Sequence, residues 1–469
     1  MSALPETHFA RSRRGNEAQP HFPFCMLPAV LFRAFSRGQL LFSRSLAAAC
    51  AALVLAGCAH FEPKPISPAQ TAAALESRSL TNSALKTFLE KNLHRDLTNW
   101  PAASWDFDLL TLAAFYYHPD LAVARAQWNV AQAGIQTAGG RPNPTLSLVP
   151  GYDTTHNAGL SPWFPAVSFD VPIETAGKRG RRIATAEQLS ESARLNIATV
   201  AWQIRSNLRK SLLDSTGAHQ RAMLLQAQVS IQERIAELLA QQAEAGAIAK
   251  SDLATRRVAL QKARLDLADA ASQRVEARAR VAEAVGIPLK ALDGVELAFQ
   301  PLKDFSPPGD LTSAEVRRAA LTSRADILGA LADYAAAQAT LQLEIAKQYP
   351  DVHLNPGYQY DQGDNKWSLG LSVELPVFNQ NQGPIAQSRA RRKLAAAKFL
   401  QLQSQVIAQV ERAVAGWQSA QSLLKTSGEL LDSAQRQQES INVGSNLRAL
   451  EISLTTHVEL DNSDSIDYT

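Results

Sequence analysis

An internal duplication constrains this chain more than any other feature. "HPDLAVARAQWNVAQA" at residues 118–133 aligns with "RADILGALADYAAAQA" at 324–339, so that Asp120 matches Asp326 at a shift of 206. Pro144 matches Pro350, and Pro150-Gly151-Tyr152 matches Pro356-Gly357-Tyr358, at the same shift. "VSFDVPI" (167–173) then aligns with "LSVELPV" (371–377) at 204, a shorter loop in the second copy taking up the difference. Whatever supersecondary unit one copy forms, the chain forms twice.

The matched segments alternate with period two, which on a strand separates two faces. In "KWSLGLSVELPVF" (366–378), Trp367, Leu369, Leu371, Val373 and Leu375 share one face, and Ser368, Gly370, Ser372 and Glu374 the other. In the first copy Trp163, Val167, Phe169, Val171 and Ile173 are the oily face, and Asp170 aligns with Glu374 on the polar one. An alternating strand precedes each twin: Leu146, Leu148 and Tyr152 in one copy, Val352, Leu354, Tyr358 and Tyr360 in the other. Loops near 154–162 and 361–365 make each pair a hairpin, over residues 144–176 and 350–378. Strands of about 9–11 residues suffice to cross a membrane at a tilt. Strands half-buried on a soluble core carry the same alternation.

The rest reads as helix. A helix over residues 104–143 precedes the first hairpin and one over 311–349 the second. A long helical hairpin follows at 177–286, with a break at Gly246, a left-handed cap, and Ser251 as N-cap of the returning helix. Residues 287–310, rich in Pro and Gly, form a linker. A second helical hairpin is expected over 379–469, with Pro384 in its first turn and a break at Gly444. Its returning arm has only 25 residues and an acidic end, "ELDNSDSIDYT", so this hairpin reads as truncated. Phe399, Leu402, Val406, Val410, Ala413, Trp417, Ala420 and Leu424 fall three or four apart, a narrow coiled-coil seam. Such rods bury little alone and must pack side by side.

Four strands cannot close a barrel, and an open strand edge is not tolerated in lipid. Strands that span a membrane therefore require several chains: two give eight strands, three give twelve, four give sixteen.

Charge and cysteine content narrow the class further. Residues 1–57 hold six Arg and two Glu, and the remainder holds 41 basic and 42 acidic residues, so the body is neutral and does not suit nucleic acid. Arg33, Arg37 and Arg44 precede the apolar run "SLAAACAALVLA" (45–56), a signal-peptide pattern too short to span a bilayer. Leu55-Ala56-Gly57-Cys58 resembles a bacterial lipobox, which makes residues 1–57 a leader, Cys58 a lipidated first residue and 58–103 a lipid-anchored segment. Met26 is an alternative start. Cys25 and Cys50 lie in the leader, so no disulfide framework forms within the mature chain.

No enzyme is expected. Gly177-Lys178 fails as a phosphate loop because position 172 is Pro, and the nine His show no paired metal spacing. No cofactor follows beyond the lipid on Cys58. Two basic clusters, "KRGRR" (178–182) and "RARRK" (389–393), are read as equivalent places after each strand pair. Lys178, Arg179, Arg181, Arg182, Arg389, Arg391 and Arg392 are assigned to lipid phosphates, since cations at a helix start oppose its dipole.

The order helix, strand pair, long helical hairpin, given twice, resembles the TolC-like outer-membrane efflux proteins over residues from about 104 to 460. Asp120-Leu121 and Asp326-Ile327, Asn143-Pro144 and Tyr349-Pro350, and "LPVFNQNQGPIAQSRARR" (375–392) carry the likeness. It implies a homotrimer whose twelve-stranded β-barrel lies in the outer membrane and continues as a twelve-helix α-helical tunnel through the periplasm. The trimer would serve as a passive duct, docked to a periplasmic adaptor protein and an inner-membrane pump. "SVELPVFNQNQGPIA" is most similar to members serving resistance-nodulation-division pumps, heavy-metal pumps among them; a protein-secretion duct shares the architecture. "AGAIAKSDL" (245–253) is similar to the family's tip segment, which makes Gly246, Ile248, Asp252, Gly444 and Leu447 adaptor or aperture residues. By alternation Asp170 and Glu374 face the lumen, and Trp367, Leu369, Leu371 and Val373 face lipid. A lipid-anchored coiled-coil structural or adhesive protein with soluble strands is the reading from another class.

Overall fold

The computed structural model describes residues 60–154, 159, 161–298 and 314–463. The leader with Cys58 and the second half of the 287–310 linker lie outside the described residues. Helices α1 (Pro68–Glu76) and α2 (Ser83–Leu93) lead through β1 (Ser104–Trp105) to α3 (Phe107–Tyr117) and α4 (Pro119–Gly139). Strands β2 (Thr145–Val149) and β3 (Ala166–Ile173) follow, then α5 (Lys178–Glu244), α6 (Lys250–Val285) and β4 (Glu296–Leu297). The second copy comprises α7 (Ala314–Ser323), α8 (Ala325–Ala346), β5 (Val352–Asp361), β6 (Asp364–Val373) and α9 (Gln382–Ser463).

Strands β2, β3, β5 and β6, of 5, 8, 10 and 10 residues, form one antiparallel sheet in the order β2-β3-β5-β6, the first two shorter than the 9–11 residues expected. Beneath it the helices repeat that order. α4 packs on α5, α5 on α8, and α8 on α9, and each of these helices enters or leaves the strand at the matching position. Strand order and helix order coincide because each strand runs directly into its helix, so two storeys of one wall share one sequence of staves. Both edges of the wall, β2 with α4 and β6 with α9, are unpaired among the described residues.

Each helix expected before a hairpin is in fact two helices. The first breaks at His118, with ψ of 125° ahead of Pro119, because the residue before proline avoids helical geometry. The second breaks at Arg324, with ψ of 135°, at the equivalent position but without a proline. There the Arg324 guanidinium donates to both Asp326 carboxylate oxygens, at 3.0 and 2.7 Å, and the Asp326 carboxylate accepts from the Ile327 N–H at 2.9 Å.

The segment before residue 104 does more than tether. Leu85 and Leu89 of α2 are fully buried in one core with Leu110 of α3, Leu208 and Leu212 of α5, and Val281 and Val285 of α6. Fixed polar contacts frame this core. The Arg78 guanidinium donates to the carbonyls of Tyr117 and Gly286 at 2.7 and 2.8 Å, and the Trp100 indole N–H donates to the Thr81 carbonyl at 3.0 Å. Gly286, with φ of +82°, ends α6 where any Cβ would meet the His118 backbone at 3.1 Å.

The second long hairpin is not formed. α9 runs without interruption through Gly444 to Ser463. A mid-helix glycine costs only about 1 kcal/mol against alanine, and the runs "AQRQQE" (434–439) and "LRALE" (447–451) on either side are good helix formers, so Gly444 alone does not turn the chain. No returning helix follows α9 among the described residues.

Candidate functional site

The sheet separates its faces along all four strands. The pairings Leu146↔Phe169, Leu148↔Val167, Val171↔Leu354, Leu354↔Leu371, Pro356↔Leu369 and Tyr358↔Trp367 join apolar neighbours across every seam. The pairings Ser147↔Ser168, His353↔Ser372, Asn355↔Gly370 and Gln359↔Lys366 do the same for the opposite face. Trp367, Leu369 and Leu371 are 67, 77 and 68 % exposed. An apolar surface of this extent, open on a protein built from packed helices, requires a nonaqueous neighbour. Asp170, paired with Thr145, lies on the polar face, and Glu374 lies just beyond the end of β6 at Val373.

One feature of the faces is not visible in either copy by itself. Tyr152 and Trp163 form a cross-strand pair with ring centroids 4.9 Å apart, and Tyr358 and Trp367 form another at 4.8 Å. The two pairs occupy equivalent positions on the apolar face, toward the hairpin-loop end of each ribbon. Tyr and Trp are favoured where an apolar surface meets water, since the rings are apolar and their edges polar. The recurrence of a Tyr and a Trp at the repeat spacing was the available signal.

At the other end of the sheet the basic cluster 178–182 is drawn into the fold. The Lys178 ammonium, buried, donates to the Asp351 carboxylate at 2.8 Å, which also accepts from the Thr175 N–H. Arg182 grips both oxygens of Glu174. Arg179 and Arg182 donate to the carbonyls of Gly139 and Ala138 at the end of α4, and Arg181 to the Gln342 amide oxygen at 2.9 Å. These cations join β3, α4, α5 and the start of β5, and the carbonyls at the end of α4 supply the negative dipole end they need. Lys178, Arg179 and Arg182, assigned in the sequence to lipid phosphates, thus each hold a partner within the chain, and of the three only Arg179 is exposed.

The two basic clusters are also not equivalent. Gly177, with φ of +68°, precedes α5, and Asn381, with φ of +62°, precedes α9 at the repeat shift of 204. Lys178 opens its helix, whereas Arg389 lies seven residues into α9, about 10 Å further from the sheet. Arg389 and Arg391 are exposed and Arg392 is half-buried. The second junction uses amides instead: the Asn381 side chain donates to the Glu344 carbonyl at 2.7 Å and to its carboxylate at 2.9 Å, and Gln348 donates to the Gln380 carbonyl at 3.1 Å.

At the far end of α5 the turn is as expected. Gly246, with φ of +74°, allows the Ala247 N–H to reach the Gln242 carbonyl at 2.9 Å and its own N–H to reach Ala243 at 3.2 Å, a Schellman cap. Ala249, not Ser251, is the N-cap of α6, and it makes no side-chain capping bond. Ile248 is half-buried and Asp252 exposed. Gly444 and Leu447 lie inside α9 and are not brought near this turn as part of a second one.

The outer membrane efflux protein family model matches residues 114–287 and 316–443. The cobalt-zinc-cadmium resistance protein CzcC of Cupriavidus metallidurans is 27 % identical over 266 residues, covering 56 % of this chain and 61 % of that protein. The pyoverdine export outer membrane protein OpmQ of Pseudomonas aeruginosa is 24 % identical over 315 residues, covering 61 % of this chain and 65 % of that protein. The chain thus spans under two thirds of the length of these relatives. The crystal structure of CusC, described in terms of folding and transmembrane channel formation, superposes with a TM-score of 0.58 at 16 % identity, over 72 % of this chain and 82 % of that one.

Proposed function

The chain belongs to the outer membrane efflux protein family, and from that premise we propose that three copies close a twelve-stranded barrel above a helical tunnel. The assembly is a passive duct from periplasm to exterior, fed by an inner-membrane pump through a periplasmic adaptor. One observation carries the reading: a four-stranded sheet with an exposed apolar face, a polar face and two unpaired edges. Hydrocarbon leaves no backbone group unpaired, so the β2 edge of one copy takes the β6 edge of the next. The same exposed face counts against a soluble, adhesive coiled-coil protein, which would bury it.

The polar face supports small cations as cargo. Asp170, Asp361, Asp364 and Glu374 outnumber Lys366 on or beside it, and Lys366 is itself held by Asp361 at 2.6 Å. A conduit lined by fixed negative charge concentrates cations. CzcC, named for cobalt, zinc and cadmium resistance, is similar enough to make divalent metal ions the first cargo to test. The turn at Gly246, with Ile248 and Asp252, is the surface assigned to the adaptor. Of the basic residues, exposed Arg389 and Arg391 are those left to meet lipid phosphates.

Reconstitution of the detergent-purified chain into planar bilayers tests the reading. Discrete conductance steps with a cation-selective reversal potential are expected, from a species that runs as a trimer. A water-soluble monomer that needs no detergent and gives no conductance overturns it.

A further inference from the structure

Besides Lys366 with Asp361, the polar face of the sheet carries an ionisable pair that neither stabilises a helix end nor joins sheet to helices. His353 Nδ1 lies 2.9 Å from Asp170 Oδ1 across the seam between the two hairpins. Pro172 is paired with His353 in the strand register, and Asp170 sits two residues away on the same face. The two side chains are 37 and 44 % exposed, so both reach solvent on that face. This contact is the one side-chain hydrogen bond of His353 among the described residues.

We propose that His353 is a transit site for borderline divalent cations such as Zn²⁺ or Co²⁺, oriented by Asp170. A carboxylate can only accept a hydrogen bond. The neutral imidazole therefore carries its proton on Nδ1, and Nε2 keeps its lone pair. An imidazole whose other ring nitrogen donates to a carboxylate is the arrangement found behind metal-ligating histidines; it fixes the tautomer and the ring orientation. Ser372 stands directly across the ladder from His353, with its hydroxyl accepting from the Asn355 amide at 3.0 Å, and the Asp351 carboxylate lies within electrostatic reach of the ring. Imidazole selects zinc, cobalt and nickel over magnesium and calcium, which prefer all-oxygen sites.

No three His, Cys, Asp or Glu side chains converge among the described residues. One imidazole per chain supplies the protein's share of the coordination, and water supplies the rest. Such a site is weak, and weakness is what a conduit needs: an ion must enter readily and leave readily. The inference rests on the polar face bordering the duct.

The test uses the full chain reconstituted in planar bilayers, carrying a potassium current while zinc or magnesium chloride is added. Zinc is expected to reduce the current reversibly in the wild type and magnesium to leave it unchanged. His353→Ala is expected to raise the half-effective zinc concentration about tenfold, and Asp170→Asn to raise it in the same direction by freeing the ring. His353→Gln, which can still donate to Asp170, should match the alanine variant in zinc response. In parallel, equilibrium dialysis of the detergent-solubilised assembly over a range of zinc concentrations is expected to show less zinc bound per chain in His353→Ala than in the wild type. Equal zinc sensitivity and equal zinc binding in wild type and His353→Ala overturn the site. If no preparation conducts potassium, the duct reading fails, and dialysis alone decides the site.

Discussion

The two long arms of the chain grow from the same repeat, yet they differ in what covers them. In the first arm α5 is flanked by α3 and α6, and Ile204, Leu208, Leu212 and Val229 are buried. In the second, α9 packs on α8 and α7, with Ile385 and Val406 buried, and then runs on through residues 418–441, all exposed, with no further neighbour among the described residues. Leu423, Leu424, Leu430 and Leu431 are exposed there, in two rows spaced by seven. A seven-residue spacing is the seam of a coiled coil, which has no function unless another helix fills it. The first arm shows an open row as well, Leu224, Ile231 and Leu238, on the side away from its own partner. A folded hairpin satisfies one seam per helix and leaves another; a lone helix leaves all of them. In the proposed trimer those seams are closed by neighbouring copies.

The largest effect expected from this contrast is in the buried arm. Leu208→Ala should cost about 2–5 kcal/mol, the usual range for emptying a packed leucine site, and lower the unfolding midpoint of the chain in any state of assembly. Leu430→Ala should be almost silent in a dissociated chain and costly only where copies associate. Denaturation followed at concentrations above and below assembly measures both. A Leu430→Ala effect independent of concentration would break the contrast.

The two faces of the sheet give the next effect. Leu371→Arg places a cation on the apolar face at a cost of about 2–4 kcal/mol near the bilayer midplane. Loss of the protein from the outer-membrane fraction is expected. Ser372→Arg, one residue on and facing the other way, should leave the membrane fraction intact and shift ion selectivity. Equal loss in both variants would show that the faces are not wetted differently.

These faces were legible in the sequence because alternation is a local property: Leu369 and Leu371 point together whatever lies beyond them. The long helix α5 and its Gly246 cap were legible for the same reason. Contacts between distant residues were not. Lys178 finds Asp351, 173 residues away, so "KRGRR" looked free for lipid when its partners were simply elsewhere in the chain. The breaks at His118 and Arg324 occur inside unbroken helical periodicity, and only Pro119 hints at one of them. The core around Leu85 and Leu89 depends on a short helix whose apolar residues gain meaning only once α3, α5 and α6 surround it. Gly444 misled in the opposite direction, because a glycine permits a turn but does not compel one; at Gly246 the turn is completed by α6 packing back on α5.

The junctions between sheet and helices sharpen the contrast at intermediate magnitude. Lys178→Met leaves Asp351 without its buried partner, and a cost of about 1–3 kcal/mol is expected, since Asp351 retains the Thr175 N–H and some solvent. Asn381→Ala, at the second junction, removes two neutral-donor bonds to Glu344 and should cost less, about 1 kcal/mol. Proteolysis at the sheet–helix boundary reads both. A larger loss from Asn381→Ala would mean that the amide junction, not the ion pair, holds the sheet to its helices.

The smallest effect separates the two helix breaks by pH. The Arg324 guanidinium donates to Asp326 and, together with the Ile327 N–H, holds its carboxyl below the usual carboxylate range against the opposing effect of burial. A carboxylate with a depressed folded-state pKa contributes stability that is present above its unfolded pKa, about 3.9, and is lost as pH falls through the folded value. The pair is partly exposed, so its contribution stays under about 1 kcal/mol. At the first break Asp120 stands exposed, 3.8 Å from His118, and no arginine forms an ion pair with it among the described residues. Asp326→Asn should therefore lower the unfolding midpoint at neutral pH and converge with wild type in acid, while Asp120→Asn should change little at either pH. Parallel Asp326→Asn and wild-type curves down to the acid limit would show that Arg324 holds the break by geometry alone and that its charge contributes nothing.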